Sequence, residues 1–473
     1  MFKVKKGIAL LIAYALTTSF VPMIQGHAAE ISSINSSIEK NLNQDAVSIT
    51  NPDSSTSSNF VTCDGNKFKV EGHDFYFVGQ NNYYLPYAPQ YMVDDVFADA
   101  QAMGSKVMRT WGFIDGASSC DVVLQPSLGV YSEEGFKHFD YVVKKAKESG
   151  IKLVIPFVNN WKDFGGMDKY VEWTGAGNHD AFYTNEACKT AYKNYINHFL
   201  NRTNTYTGVK YKDDPTIMTW ELGNEPRCKS DATGVTLYNW SKEMSEYIKS
   251  IDSKHLVALG DEGFFKRDGA KYNWDWNYTG GEGVDWDKLI SIPTLDYGTF
   301  HLYPDGWNES VDWGTKYVKD HIDAANLVNK PAVLEEYGIK NNQLDVYTTW
   351  GNAVINNGGA GLMPWMLSGI GFDNRTLYPD YDGFRIIYPS DIATLLSDSA
   401  KVMNAKSIAT TGPSVMLGDV NEDNAVDVLD YTALQKYLLL GTGNINKANA
   451  DINKDSRINT ADLFALRKII LEG

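Results

Sequence analysis

Short apolar stretches recur along the middle of the chain, and each of them ends in polar or charged residues. They are rich in aliphatic, β-branched and aromatic side chains, which favour β-strands. Segments with the spacing of one helix face separate them, such as Phe136 to Ala146 and Tyr238 to Ile251. The predicted strands are eight in number: Phe75 to Asn81, Val107 to Phe113, Lys152 to Asn159, Ile217 to Glu225, Leu256 to Glu262, Tyr297 to Tyr303, Pro331 to Tyr337 and Gly361 to Leu367.

Strands alternating with helices over about 350 residues predict an α/β fold of the (β/α)₈ TIM barrel type. A doubly wound sheet is the alternative, but it would spread the strand ends along a line. In a barrel the ends converge on one face, where barrel enzymes place their active site. The runs end in groups capable of chemistry: Asn81 and Asn82, Arg109 and Trp111, Asn159 to Trp161, Asn224 and Glu225, Asp261 and Glu262, His301 and Tyr303, Glu336 and Tyr337, and Trp365.

Two of these ends offer the carboxyl groups that cleavage of a glycosidic bond requires. In the first, the period of two puts Glu221, Gly223 and Glu225 on one face, with Glu225 at the mouth and Glu221 one layer deeper. The alternative to a catalytic role for Glu225 is a structural one, in which its carboxylate only caps the next loop. In the second, alternation allows one of Glu335 and Glu336 to face the barrel axis, and spacing leaves that choice open.

Composition narrows the class of substrate. The chain has 473 residues and a formal net charge of -16, which argues against nucleic acid and anionic membranes as partners. Its 12 Trp, 28 Tyr and 20 Phe suit stacking on neutral sugars, although many of these rings fill the core. We expect a monomer, because no regular feature suggests a homo-oligomer.

The N-terminus has the order of a secretory signal peptide, with Lys3, Lys5 and Lys6 followed by an apolar run and small residues. We expect a signal peptide over 1–29, a flexible leader rich in Ser, Asn and Thr over 30–58, and a catalytic domain over 59–410. An uncleaved anchor is the alternative for the first segment. The four cysteines, Cys63, Cys120, Cys188 and Cys228, permit three full pairings or four free thiols, and their spacing does not choose.

The composition changes after a linker at 411–417. The segment that begins at Asp419 recurs 32 residues later at Asp451, and each copy is followed by a helix-like tail. Oxygen-bearing side chains stand at loop positions 1, 3, 5, 9 and 12 of both copies, the pattern of a calcium loop. The sequence therefore predicts a small all-α calcium-binding domain over 418–473. A plain EF-hand-like calcium buffer is disfavoured, because a convincing helix is missing before each loop.

Trp220-Glu-Leu-Gly-Asn-Glu-Pro226 together with Leu334-Glu-Glu-Tyr-Gly338 resembles the family 5 glycoside hydrolases. From about Phe60 to residue 405 the chain is most similar to the endo-β-1,4-mannanases of that family. The resemblance implies a retaining enzyme with Glu225 as acid/base and Glu336 as nucleophile. It also implies substrate-binding or supporting roles for Arg109, Asn224, His301, Tyr303 and Trp365, and weaker ones for Trp161, Arg227, Glu262 and Trp307. We expect hydrophobic enclosure to keep Glu225 protonated and an arginine to keep Glu336 ionised.

The duplicated C-terminal segment resembles a type I dockerin, the module that anchors an enzyme to a cohesin on a scaffold protein. The resemblance implies Ca²⁺ at two loops, and no cofactor is expected in catalysis. Position 6, where such loops usually need Gly, is Asn424 and Ser456, and positions 10 and 11 differ between the copies, which puts the affinity of the second loop and the cohesin preference in doubt. The implied ligands are Asp419, Asn421, Asp423, Asp427 and Asp430, then Asp451, Asn453, Asp455, Asn459 and Asp462, with the carbonyls of Ala425 and Arg457.

The expected function is that of a secreted, cellulosome-associated endo-β-1,4-mannanase acting on mannan, galactomannan or glucomannan. An endo-β-1,4-glucanase is the alternative within the enzymes, because the same carboxyl pair serves both sugars. A non-hydrolytic polysaccharide-binding protein is the alternative outside them. The two carboxyls disfavour that reading.

Overall fold

The computed structural model describes residues 59–116, 121–409, 417–421, 425–441, 445–453 and 457–472. The predicted signal peptide and leader lie outside these residues, as do Cys120, Asp423 and Asp455. In the part of the chain that is described, Cys63, Cys188 and Cys228 are free thiols. The search of those residues found no helix long and apolar enough to cross a membrane.

Eight parallel strands form a nearly closed barrel, as the apolar runs predict. They are β4 to β11 of the chain, and their order around the sheet is β8-β7-β6-β5-β4-β11-β10-β9. At the seam between β8 and β9, the backbone N–H of Asp296 donates to the carbonyl of Val257 at 2.8 Å. The doubly wound alternative is therefore wrong. The strands are β1 Thr62–Asp64, β2 Lys67–Val70, β3 His73–Phe75, β4 Phe77–Asn81, β5 Val107–Arg109, β6 Lys152–Pro156, β7 Ile217–Glu221, β8 Leu256–Ala258, β9 Gly298–Leu302, β10 Ala332–Tyr337 and β11 Gly361–Leu362.

Helices surround the barrel and bury one face each. The helix Glu133–Ser149 shows why the sequence folds this way: the hydroxyl of Ser132 accepts from the N–H of Gly135, and Gly150 ends the helix at φ 65°. The helices of the described part before residue 410 are Gln90–Ala102, Glu133–Ser149, Gly166–Thr174, Ala181–Thr184, Glu186–Asn201, Val235–Ile251, Trp286–Leu289, Pro304–Trp307, Val311–Leu327, Gln343–Asn357 and Asp391–Ala409, with 3₁₀ turns at Leu85–Tyr87, Tyr211–Asp213 and Trp276–Tyr278.

A small antiparallel sheet, β1 to β3, covers the N-terminal end of the barrel. Val61 and Phe68 pack there against residues from the first half of the barrel strands, such as Val107, Val154 and Met218. The sequence reading missed this sheet, because strands of three or four residues give little periodic signal. The covered end leaves the opposite face of the barrel for ligands.

Asp252 anchors the strand that leads to Glu225. Its carboxylate accepts from the indole N–H of Trp220 at 2.8 Å and from Nδ1 of His255 at 2.5 Å. Burial alone would raise the pKa of Asp252, but His255 and the other donors outweigh burial and lower this pKa to about 2. The stability that this carboxylate contributes is present above its unfolded pKa of 3.8 and is lost as the pH falls through about 2.

We expect Asp252→Asn to lower the free energy of unfolding by about 2 kcal/mol at pH 7, because the amide is uncharged and its NH₂ group replaces one of the two oxygens that accept from Trp220, His255 and Lys254. Urea unfolding followed from pH 7 to pH 3 checks this, and the gap between variant and wild type should narrow below the unfolded pKa. Asp398→Asn is the matched control, since Asp398 is exposed and pairs with the exposed Lys401. A gap that stays constant with pH would contradict the role of the carboxylate charge.

The C-terminal domain is all-α and shows its internal repeat in the hydrogen bonds. Its described helices are Val428–Leu440, Lys447–Ala450 and Thr460–Glu472. In the first copy, Oδ1 of Asp430 accepts from the N–H groups of residues 420 and 421, and in the second copy Asp462 does the same for residues 452 and 453. Both aspartates are buried. The described parts of the two loops therefore share this hydrogen-bond pattern, 32 residues apart.

Candidate active site

Glu225 reaches the open face of the barrel through a turn, because β7 ends four residues earlier at Glu221. Asn224 bridges to Asn159 at the end of the neighbouring strand, and Glu225 has φ 54°, a conformation that non-glycine residues adopt rarely. Its N–H donates to the carbonyl of Gly260 at 2.7 Å, which holds the turn in place. Simple alternation therefore does not extend to Glu225: Asn224 and Glu225 both line the same cleft.

A bulge in β10 brings both neighbouring glutamates to the barrel interior. The pairing of β10 with β9 matches Leu334 with Phe300 and Glu336 with His301, so Glu335 is the extra residue. Glu336 lines the cleft, whereas Glu335 is fully buried and its Oε2 lies 3.4 Å from Nε2 of His301. The expectation that only one of the two faces the axis is wrong.

The two carboxyls of the predicted pair lie side by side. One oxygen of Glu225, one of Glu336 and one ring nitrogen of His301 all lie within 4.8 Å of one another. Nδ1 of His301 contacts Oε1 of Glu225 at 2.8 Å, and the hydroxyl of Tyr303 donates to Oε2 of Glu336 at 2.8 Å. These oxygen and nitrogen atoms could surround a metal ion, but each of them already takes part in a protein hydrogen bond.

Arg109 lies beneath the pair and contacts five side chains, one of which is Asn81, whose Oδ1 accepts from it at 3.5 Å. It is completely buried, and it donates to Oε2 of Glu221 at 2.8 Å, to Oδ1 of Asn224 at 2.9 Å, and to Oε1 of Glu336. Its Nε also lies 3.6 Å from Glu335. Glu221, predicted to lie one layer deeper, makes this structural contact. A fixed guanidinium thus sets the positions of Asn224 and Glu336 together.

The order of the pKa values of Glu225 and Glu336 is the reverse of the one expected from the sequence. Burial raises the pKa of Glu225, but the hydrogen bond and charge of His301, with the indole of Trp161, outweigh burial and lower it below the ordinary value. Burial and the charge of Glu225 raise the pKa of Glu336, against the opposing effects of His301 and Arg109. Glu225 is surrounded by donors, not by apolar groups alone, and this is why the expectation is wrong.

His301 lies among three carboxyl groups at the centre of the site. Burial lowers its pKa, but the surrounding carboxylates, first Glu336 and then Glu225 and Glu335, outweigh burial and raise it well above the ordinary value. The raised pKa favours the protonated ring, and Nδ1 of that ring faces Oε1 of Glu225 at 2.8 Å.

The pair opens into a cleft of about 670 Å³. Nine predicted residues line it: Trp161, Asn224, Glu225, Arg227, Glu262, Tyr303, Trp307, Glu336 and Trp365. The predicted Arg109 and His301 lie buried beneath its floor. Trp111 and Asn159, expected at the strand ends, line it as well. Sequence reasoning missed further lining residues, most of which lie on loops without periodic signals: Tyr83, Asp163, Phe164, Trp276, Asp382 and Phe384.

One wall of the cleft adjoins Glu225. The indole N–H of Trp161 donates to Oε2 of Glu225 at 2.6 Å, and the guanidinium of Arg227 lies 5.0 Å from the centre of the Trp161 ring. Both oxygens of Glu262 accept from Arg227, and Glu282 accepts from it at 2.7 Å. The two carboxylates fix the guanidinium against the indole, so this wall is rigid.

The opposite wall is built around Trp365. Its indole N–H donates to Asp382 at 2.7 Å. The ring packs against Tyr83 with centroids 5.9 Å apart and planes inclined by 14°. Trp111 lies 5.6 Å from it. A flat aromatic surface held from behind in this way is suited to the C–H face of a sugar ring.

The C-terminal loops offer oxygen atoms to a hard cation. The described part includes Asp419, Asn421, Asp427 and Asp430 of the first loop, and Asp451, Asn453, Asn459 and Asp462 of the second. Carboxylate and amide oxygens without nitrogen or sulfur ligands are the donor set that Ca²⁺ prefers. The donor chemistry therefore fits calcium in both loops.

Comparison with known proteins agrees with both parts of the chain. Residues 58–354 match the family described as GH family 5 beta-mannosidase-like, and residues 417–471 match the type I dockerin domain. The chain is 39% identical over 360 residues to the probable mannan endo-1,4-beta-mannosidase A of Aspergillus oryzae, covering 73% of this chain and 90% of that protein.

Solved structures give the same result. An endo-beta-1,4-mannanase from Thermotoga petrophila shares 49% identity at a TM-score of 0.68, over 70% of this chain and 77% of that one. The endo-1,4-beta-mannanase from Rhizomucor miehei shares 40% identity at a TM-score of 0.68, over 73% of this chain and 99% of that one.

Proposed function

Since the chain belongs to the β-mannosidase-like group of glycoside hydrolase family 5 and has a type I dockerin domain, we propose that it is a secreted endo-β-1,4-mannanase anchored to a scaffold protein. It cleaves mannan, galactomannan or glucomannan with retention of anomeric configuration. The observation that supports the mechanism best is the separation of Glu225 and Glu336, whose nearest oxygens lie within 4.8 Å. Retaining enzymes keep their carboxyls about 5–5.5 Å apart, and inverting enzymes place them farther apart to admit a water.

The reaction proceeds in two displacements. In the first, the carboxylate of Glu336 attacks the anomeric carbon, the glycosidic C–O bond breaks, and Glu225 gives its proton to the departing oxygen. In the second, Glu225 takes a proton from a water molecule, the oxygen of that water attacks the same carbon, and the ester bond to Glu336 breaks. The sugar leaves with its original configuration, because the carbon has been inverted twice.

The charges of Glu225, Glu336 and His301 change during the two displacements. The proton needed first lies within the cluster, on His301, whose Nδ1 is 2.8 Å from Glu225. While Glu336 is charged, it repels a charge on Glu225 and so raises the pKa of Glu225 relative to the state in which Glu336 is neutral. Once Glu336 is esterified, that repulsion is absent and Glu225 favours its carboxylate form. Glu225 therefore acts as acid in the first displacement and as base in the second.

The two walls of the cleft bind different sides of the substrate. Trp161, bonded to the proton donor Glu225, adjoins the departing sugars, so the wall of Trp161, Arg227, Glu262 and Trp307 binds the leaving-group side. Trp365 floors the site of the sugar that Glu336 attacks. Asn224, held by Arg109, binds the hydroxyl beside the reacting carbon. Arg109, His301 and Tyr303 position the two carboxyls.

The substrate class is tested by reducing-sugar release from galactomannan, soluble cellulose and xylan, with proton NMR of the first product anomer. We expect release from galactomannan and an initial β-anomer. Release mainly from cellulose would overturn the mannanase proposal and keep the mechanism. An initial α-anomer would overturn the double displacement, and binding without release would point to a non-hydrolytic module.

The dockerin domain binds two calcium ions and docks on a cohesin of the scaffold. The ligands are the ten side chains named from the sequence, of which Asp423 and Asp455 lie outside the described residues. Calcium is expected to hold each loop against its following helix, because a cation neutralises the carboxylates that crowd one loop.

We expect calcium removal with EGTA to lower the helical circular dichroism signal and abolish cohesin binding, while hydrolysis of soluble galactomannan stays unchanged. Titration calorimetry should show about two ions per chain. Asp430→Ala and Asp462→Ala each remove one site and should leave the other. Cohesin binding that survives EGTA would contradict calcium-dependent docking.

A further inference from the structure

Two further glutamates lie beneath the catalytic pair and take no direct part in the two displacements. Glu221 ends β7, and Glu335 is the extra residue of the bulge in β10. Both side chains are completely buried. The two carboxyl groups are in hydrogen-bonding contact, and Oε1 of each has no donor among the described residues. Because carboxylate oxygens only accept, this contact requires a proton between the two groups.

The charges of the buried cluster also require protons. Its cations are Arg109 and His301, and the carboxyl groups that contact them are those of Glu221, Glu225, Glu335 and Glu336. Four carboxylates against two cations would leave an excess of two negative charges away from water, which is costly. A proton on Glu225 removes one of them. The other is removed by a proton on the buried pair.

Two other titratable groups face the pair. Burial raises the pKa of Asp261 to about 7, and its carboxyl accepts from the hydroxyl of Thr299 at 3.1 Å. Tyr297 is close to both glutamates, but its hydroxyl donates to Oγ1 of Thr219 at 3.2 Å. The proton of this tyrosine is therefore engaged outside the pair.

The contacts of the two glutamates differ, and they favour a proton on Glu221. Oε2 of Glu335 lies 3.4 Å from Nε2 of His301 and 3.6 Å from Nε of Arg109, so two cations stabilise its charge. Oε2 of Glu221 lies 2.8 Å from the same Nε of Arg109. Burial raises the pKa of Glu221 well above its ordinary value. At Glu335, Arg109 and the hydrogen bonds from Glu221 and His301 outweigh burial and lower the pKa.

Glu335 reaches the catalytic acid through His301. Nε2 of the ring faces Glu335, and Nδ1 faces Oε1 of Glu225 at 2.8 Å. An imidazole with a carboxyl group at each nitrogen has a fixed orientation, and its doubly protonated form donates to both. A negative charge on Glu335 therefore favours keeping a proton on the pair formed by His301 and Glu225.

We propose that Glu221 and Glu335 share one proton, held by Glu221, and that the charge left on Glu335 orients His301 and retains a proton on the His301–Glu225 pair. Glu335 is thus a positioning residue, and Glu221 is its neutral hydrogen-bond donor. The effect on catalysis rests on the proposed mannanase function. The placement of the proton does not depend on the substrate.

Two glutamine variants form a matched test, because each replaces one carboxyl by an amide of the same size. In Glu221→Gln the amide nitrogen donates to Glu335, as the protonated carboxyl does, and the amide oxygen accepts from Arg109. In Glu335→Gln the carboxylate that faces His301 is lost. Only the second variant therefore removes a charge from the cluster.

The pH dependence of stability locates the proton without any substrate. A Glu221 that is protonated in the folded state contributes stability below its unfolded pKa of 4.5, and this stability is lost as the pH rises towards the higher folded value. Glutamine has no such loss, so the urea midpoint of Glu221→Gln should rise relative to wild type between pH 4 and pH 7.

Glu335→Gln should show the opposite trend. A charged Glu335 contributes stability above its unfolded pKa of 4.5, so the urea midpoint of this variant should fall relative to wild type over the same range. Glu246→Gln, at an exposed residue that pairs with Lys242, is the control and should run parallel to wild type. Any pattern other than these opposite trends overturns the placement of the proton.

The pH profile of kcat/KM on linear mannohexaose tests the link to catalysis. Its alkaline limb reports loss of the proton from the His301–Glu225 pair. We expect this limb to lie about one pH unit lower in Glu335→Gln, because a carboxylate next to His301 is removed. In Glu221→Gln it should stay within about 0.3 pH unit of wild type. An equal fall in both variants, or no fall in Glu335→Gln, overturns the role of Glu335.

Should Glu335→Gln fail to fold, as judged by its melting temperature, Glu221→Gln alone decides by its urea midpoints and its alkaline limb. Failure of the mannanase proposal looks different. Wild type would then leave mannohexaose intact, while the urea midpoints of the two variants would still change in opposite directions with pH.

Discussion

Replacing Glu336 by alanine is expected to lower kcat on galactomannan by about 10⁵-fold, the scale seen when a covalent nucleophile is removed. No other carboxylate in the described part of the site can take over: Glu335 is buried against Arg109 and His301, and Glu225 must serve as the acid. The measurement is reducing-sugar release at saturating substrate. Residual activity above about 1% of wild type in a folded variant would reject the assignment.

The fold of this variant should remain intact. Arg109 keeps Glu221 and Asn224 as hydrogen-bond partners when Glu336 is removed, so no buried charge is left alone. Circular dichroism and the melting temperature check this. Glu148→Ala is the control, since Glu148 pairs with Lys144 on the surface.

A small anion should restore part of the lost activity on an aryl β-mannobioside. Azide can occupy the space of the missing carboxylate and attack the anomeric carbon, while the aryl oxygen leaves with the bond electrons. The product is then the α-mannosyl azide, because one displacement inverts the carbon once. Rescue of the corresponding Glu225→Ala variant should instead give the β-azide, since the ester on Glu336 still forms.

The barrel could be predicted from the sequence because its signal is local. Each apolar run gave a strand, and the period of three or four residues gave helices such as Val235–Ile251. The small sheet β1 to β3 could not be predicted, because its strands are short. Its role is to cover the barrel floor through Phe68, and that contact is visible only in three dimensions.

The candidate site could be predicted only in part, for physical reasons. The acids at the strand ends and their neighbours were found because short motifs surround them. The bulge at Glu335 was missed, since strand register depends on the neighbouring strand and not on the local sequence. The order of the pKa values was wrong, because it depends on His301 and Trp161, which lie 76 and 64 residues away from Glu225 along the chain.

Arg109 lies where these distant elements meet, and its replacement should affect stability and catalysis at once. We expect Arg109→Met to lower the free energy of unfolding by about 3–5 kcal/mol, the usual cost of breaking a buried ionic network by removing one partner. Glu221, Glu335 and Glu336 would be left as buried carboxyls with their common cation removed. In the folded state these carboxyls lose their charge by binding protons.

The sign of the pH dependence follows from this. Without Arg109 the pKa values of the three carboxyls rise in the folded protein. At neutral pH the unfolded chain has these carboxyls ionised, so the loss of stability is largest there. Towards pH 4 the unfolded chain also binds protons, and the variant regains part of the lost stability. Urea unfolding at pH 7 and pH 5 measures the difference. Arg375→Met, at an exposed arginine, should change stability by no more than about 0.5 kcal/mol at either pH.

Catalysis should respond separately from stability. Asn224 and Glu336 both take their positions from Arg109, so the folded variant should lose at least about 100-fold in kcat, the effect of a small displacement of a reacting group. Activity is therefore measured at a temperature where the variant is fully folded. A variant that is destabilised but retains wild-type kcat would show that Arg109 holds the barrel together without positioning Glu336, and would contradict the shared role assigned to its guanidinium.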